Sequence, residues 1–145
     1  MAITSAICTS FKQELLVGTH NFTATTGNTF KIALYTSSAT LGAGTTAFST
    51  TNEITNSSGT AYTSGGASLT SVTPTTDSTT AVCDFSDVSF TSASFTANGA
   101  LIYNSSQSNK AVAVIAFGGD KTVSSGTFTI QFPTADATNA IIRLA

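Results

Sequence analysis

The sequence predicts a mainly β protein: a β-sandwich or jelly-roll-like barrel of about seven to nine short antiparallel strands, with one N-terminal helix. Three observations carry this reading. Short apolar or alternating runs recur along the chain, separated by turn residues at intervals of roughly 8–12 positions. Charged residues make up only 8% of the 145, while Ser and Thr together supply about a third. A typical domain carries about 25% charge, so the exposed strand faces here are hydroxyl-rich instead. The apolar share is 41%, with 10 Phe, three Tyr and no Trp. That is enough for one core, and the length predicts a single domain over residues 1–145.

The elements follow in order. Ile3, Ile7, Phe11 and Leu15 recur every four positions, with Cys8 and Leu16 widening the same face. This spacing predicts a helix over 5–17, capped by Thr4 or Ser5, ended by Gly18 and packed on the sheet. Lys12, Gln13 and Glu14 lie off its apolar face. Phe30, Ile32 and Leu34 alternate with Lys31, Ala33 and Tyr35 in a strand over 29–36. Residues 37–66 are rich in Ser, Thr, Gly and Asn, with apolar islands around Phe48, Ile54 and Tyr62. A segment this long exceeds a plain connector and reads as a polar contact arm.

Residues 67–72 form a weak strand and 74–80 a turn around Pro74. Residues 81–90 read as a strand pair or one bent strand, with Phe95 in the connection that follows. Asn98-Gly99 introduces a buried strand, Ala100–Tyr103, and 104–110 is a polar loop. Ala111–Phe117 is an unbroken apolar run, and Phe128, Ile130 and Phe132 alternate with Thr127, Thr129 and Gln131. With Gly118-Gly119-Asp120-Lys121 between them, these runs predict a β-hairpin over 111–132. Residues 139–145 close the chain as a strand.

The charge pattern and the chemical residues exclude several classes. The net charge is −2, with no basic patch, so nucleic-acid binding has no electrostatic support. Low charge also gives weak self-repulsion, as expected of a surface covered in an assembly. No apolar run approaches the ~20 residues that cross a membrane. Met1–Cys8 has neither a basic segment nor a sustained apolar one, so it is not read as a secretory signal. Cys8 and Cys83 are expected as free buried thiols, with a disulfide as the alternative. His20 is the one histidine and reads as a loop residue; a triad or zinc site needs more partners. Asp84 and Asp87 are spaced to share a cation or, as isolated carboxylates, to face water. Asp120-Lys121 is a turn pair. No catalytic, cofactor or metal site emerges, and no enzyme is predicted.

Several stretches together resemble a family of small virion structural proteins of tailed bacteriophages, especially marine ones. They are Phe11–Leu16, Phe30–Thr36, Asn52–Ile54 followed by Gly59–Ala67, Phe85–Phe90, Gly99–Tyr103, Phe117–Asp120 and Phe128–Phe132. The likeness spans nearly the whole chain, and its motifs are structural. It implies a virion component made in the cytoplasm of a bacterial host, namely a capsid decoration (cement) protein on the capsid exterior. The alternative is a tail or fibre component that touches the host surface. The implied partner is the major capsid protein, with further copies of this chain in an oligomer such as a trimer; no nucleic acid, membrane or cofactor is implied. The residues nominated for partner contact are Ile3, Phe48, Ile54, Tyr62, Ile142 and Leu144, on the N-terminal segment, the arm and the last strand.

Overall fold

Two antiparallel sheets and one short helix account for the computed structural model, which describes residues 2–55 and 62–145. In chain order the elements are β1 (Ala6–Ile7), α1 (Thr9–Leu16), β2 (Phe30–Tyr35), β3 (Ala67–Ser68), β4 (Ser71–Asp77), β5 (Thr80–Phe85), β6 (Val88–Asn104), β7 (Lys110–Ile130) and β8 (Ile142–Leu144). The larger sheet runs β1-β7-β6-β2-β3 and the smaller β4-β5-β8. The mainly β class and the N-terminal helix stand as predicted, in a sandwich-like arrangement without a closed barrel.

The frame is one long hairpin. β6 has 17 residues and β7 has 21, and Ser105–Asn109 turn between them. The predicted 111–132 hairpin is therefore corrected. Gly118 and Gly119 lie inside β7, at φ +76° and +147°. The pairs Ala97↔Lys121 and Gly99↔Ala116 leave Phe117–Asp120 opposite Asn98 alone. Positive-φ glycines serve a bulge as well as a turn, and here they absorb the extra residues. Asn98 Nδ2 donates to Asp120 Oδ1 at 2.9 Å and ties the bulge across the pair. Phe95 and Asn98-Gly99 are likewise interior to β6 rather than connections. Pro74, expected in a turn, sits in β4, an edge strand whose register shifts between Val72 and Thr75. An edge tolerates the missing N–H.

The helix is shorter than its periodicity predicts. Ala6 and Ile7 pair with Val114 and Ala113 as β1, so their backbone groups are committed to the sheet. Cys8 becomes the N-cap, with no side-chain capping bond. Gly18 ends the helix at φ +78°, and its N–H donates to Leu15 O at 3.2 Å. Glu14, placed off the apolar face by its spacing, is buried.

All ten Phe rings contact another aromatic ring. Phe11, Phe22, Phe30, Phe85 and Phe132 form one cluster with His20, where Phe22 and Phe30 stack at 4.3 Å. Phe90, Phe95, Phe117 and Phe128 form a second with Tyr62. Phe48 stacks on Tyr103 at 4.6 Å. The first cluster joins the helix to both sheets, and the second draws its phenylalanines from β6 and β7.

The described part of the arm lies against the core. Ile54 N–H donates to Leu34 O, Phe48 N–H to Asn109 O, and Ala111 N–H to Thr46 O. Each tyrosine hydroxyl also reaches this segment. Tyr35 donates to Ser49 O, Tyr62 to Glu53 Oε1 and Tyr103 to Gly65 O, all at 2.7 Å.

Candidate functional site

The sole histidine sits in a buried polar node. His20 Nε2 lies 3.1 Å from Glu14 Oε2, and Lys110 Nζ is 3.7 Å from the same oxygen. Asn104 Nδ2 is 3.0 Å from His20 Nδ1 and 2.9 Å from Asn28 Oδ1. Asn104 Oδ1 accepts the Ser106 N–H at 3.1 Å, which fixes the orientation of the amide. Nδ2 therefore donates to His20 Nδ1, so Nδ1 carries no proton and Nε2–H donates to Glu14. Burial pushes the imidazole below its ordinary value, and Lys110 adds to this against the opposing pull of Glu14. Both ring nitrogens are occupied, so His20 has none to offer as a general base. Sequence reasoning placed His20 in a loop, and it does lie in one. No local signal could show its burial, because its partners come from α1, β6 and β7.

Glu53 organises a second node. Its carboxylate accepts from Tyr62 Oη, the Ser64 hydroxyl and Gly65 N–H at 2.7, 2.9 and 2.6 Å. Tyr62 Oη in turn accepts the Leu34 N–H at 2.9 Å. Burial, with Glu53 adding to it, holds the Tyr62 hydroxyl far above the usual phenol value. The node fastens the arm to β2.

The nominated contact residues are distributed unequally. Ile54, Tyr62 and Ile142 are buried in the core. Ile3 and Phe48 are partly buried against it. Ile3 covers Gly99 so closely that a Cβ there would lie 2.6 Å from Ile3 Cγ2. Leu144 alone is open, at 57% exposure. Among the described residues it joins Leu16, Val17 and Val72 as the exposed large apolar side chains. Periodicity puts Leu16 on the buried face, yet it is 87% exposed: α1 buries Phe11 and Glu14, and Leu16, its last residue, falls on the opposite side of the helix.

Leu144 belongs to an apolar groove of about 120 Å³ between the helix and the smaller sheet, with Phe11, Leu15, Pro74, Ala81 and Ile142 on its walls. β8 is the outer strand of that sheet, so the groove opens along a sheet edge. A larger open groove, about 790 Å³, runs between the N-terminal segment and the arm. Its walls include Thr4, Ser38, Thr45, Ser49 and Asn52, with no charged side chain. Several of these polar groups are already bonded within the arm, as when Asn52 Nδ2 donates to Ser38 O at 3.1 Å.

The other chemical candidates are not brought together. Asp84 Oδ1 accepts its neighbour's Phe85 N–H, and Asp87 Oδ1 accepts Phe132 N–H, both at 2.8 Å. Among the described residues no group of three His, Cys, Asp or Glu side chains converges to hold a metal. Cys8 and Cys83 are free and buried. Burial pushes their thiols up to about 11 and about 12, so neither is a ready thiolate. No helix among the described residues is long and apolar enough to cross a membrane.

No family model matches the chain, and neither does any curated protein or solved structure.

Proposed function

We propose that this chain is a non-enzymatic structural protein of a tailed-phage virion. In this reading it is a decoration protein that binds the outer surface of the mature capsid and stabilises it. The observation that carries the reading is the apolar groove between the helix and the smaller sheet, whose wall residue Leu144 lies open to water at the sheet edge, on a surface with few charges. Apolar side chains open to water at a sheet edge gain most when a partner covers them. The family resemblance of the sequence supplies the partner, the major capsid protein. Two internal features support a binding role over a catalytic one. Both nitrogens of His20 are engaged, and the carboxylates of Asp84 and Asp87 each hold a backbone amide.

The mechanism is mass action. A protein that binds the expanded lattice but not its precursor stabilises the expanded form, and many identical weak contacts add up through avidity. Oligomers with closed symmetry, such as trimers, match local lattice symmetry.

Quantitative mass spectrometry of purified particles, against the major capsid protein, tests the reading. A copy ratio near one, or a simple fraction of one, is expected. A few copies per particle would sink capsid decoration in favour of a tail or fibre position. Absence from the particle removes the virion reading altogether.

A further inference from the structure

We propose that His20 is an acid-sensitive latch, closed in its neutral form, which joins the helix, the 18–29 loop and the Ser105–Asn109 turn. The geometry leaves the latch only one polarity. Neutral His20 accepts at Nδ1 from Asn104 and donates at Nε2 to Glu14. Protonation places a second N–H at Nδ1, facing the N–H of Asn104 Nδ2. Asn104 cannot turn over to relieve this. Its Oδ1 would leave the Ser106 N–H and meet Asn28 Oδ1, and Nδ2 would face the Ser106 N–H. Asn28 is itself fixed, because its Oδ1 also accepts the Asn21 N–H at 2.8 Å.

The groups facing His20 come from every element around it. Glu14 on α1 favours the cation, and the Phe11 ring lies against the imidazole at a tilt, with centroids 4.8 Å apart. Lys110 at the start of β7 opposes it. Burial opposes it most: His20 is 6% exposed, and Asn104 is fully buried. A buried donor facing a donor costs the desolvation of both. The folded state therefore holds its proton less tightly than the unfolded chain. The latch is fully closed above the ordinary histidine value of about 6.5 and is lost as pH falls through the lower folded value.

Opening reaches further than the ring. Thr29 N–H donates to Ser106 Oγ at 2.8 Å, and Ser105 N–H to Thr29 O at 3.0 Å. Asn109 O in turn holds the Phe48 N–H. The loop, the turn and the arm are thus in series, and acid loosens them in that order.

The test uses the full chain in solution. Ring nitrogen shifts of His20 are followed by NMR from about pH 7.5 to 4.5, with hydrogen exchange of the Asn28, Ser105 and Ser106 amides over the same range. The neutral ring is expected to be the Nε2–H tautomer. Corrected for intrinsic rates, protection at these amides is expected to fall by at most about tenfold per pH unit below about 6.5 and to level off once the folded ring has titrated, so that the midpoint of the fall moves with the ring. His20→Gln keeps one donor and one acceptor without a titrating proton, and it should abolish the midpoint. If His20→Gln does not fold, Lys110→Gln, at a half-buried position, decides, because loss of that cation should move the ring and the amide midpoints upward together. Three results would overturn the latch: protection unchanged while the ring titrates, an equal loss of protection in His20→Gln, or amide midpoints that stay put while Lys110→Gln moves the ring.

Discussion

The two halves of the β6–β7 hairpin share strands but not surroundings. In the turn half, Gly99–Asn104 pairs with both β2 and β7, and β1 extends the sheet beyond β7. Ala100 to Asn104 are all buried, as are Ala111 to Val114. In the open half, Val88–Ala97 pairs with Lys121–Ile130 alone, and exposed hydroxyl residues alternate with Phe90, Phe95 and Phe128 on the inner face. Ser89 with Thr129, and Thr96 with Thr122, form hydroxyl pairs at 2.9 and 2.8 Å on the wet side. The same two strands thus change from a two-faced core to a one-faced ribbon at the Gly118-Gly119 bulge. Flanking strands decide how many faces are buried, and the sequence follows: continuous apolar residues in one half, alternation in the other.

Three sets of substitutions sharpen that contrast. Leu101→Ala, in the turn half, leaves a void with no wall free to collapse, and a loss of about 2–5 kcal/mol is expected in urea unfolding. A cost below about 1 kcal/mol would mean the two halves are equally loosely packed.

The glycines at the boundary separate steric from conformational need. Gly99→Ala drives a Cβ to 2.7 Å from Ile115 O as well as onto Ile3, and about 1–3 kcal/mol is expected from overpacking. Gly118→Ala meets no atom within 4 Å, so only its positive φ resists, for about 1–2 kcal/mol. Thermal unfolding of the pair checks the order, and a costlier Gly118 variant would show that the bulge, rather than the Ile3 contact, fixes the boundary.

Thr129→Ala removes one exposed hydroxyl of the ribbon, and a change within about 0.5 kcal/mol is expected by the same unfolding assay. A loss comparable to that of Leu101→Ala would make the hydroxyl ladder a structural element in its own right.

Much of this architecture is legible in the residues. The β2 alternation, the polar turn after Tyr103 and the apolar run from Ala111 each predict their element. Where sequence reasoning failed, two structures shared one local signal. Gly118-Gly119 has turn chemistry whether the chain reverses or bulges, and only the partner strand decides. Ile3 and Ile7 fit a helical stripe, but the edge of β7 takes Ile7 into β1 and Leu41 pairs with Ile3. The contact nominations show the same ambiguity. Phe48, Ile54 and Tyr62 stand out as apolar islands in a polar arm, and the structure uses them as plugs that seat the arm on the core. Apolarity in a polar stretch signals burial, but not whether the covering surface belongs to the same chain. The His20 node is invisible in sequence, because Glu14, Asn104 and Lys110 approach it only through tertiary folding.

The tyrosine seam has an optical consequence. With no tryptophan and only three tyrosines, the protein's intrinsic emission has three sources, and each has its hydroxyl anchored at the arm. The ten phenylalanines absorb and emit too weakly to compete. Light from this molecule therefore reports one place: the line where Ser49, Glu53, Tyr62 and Gly65 meet β2 and β6. A change in that emission marks the arm leaving the sheet, whatever the rest of the molecule is doing.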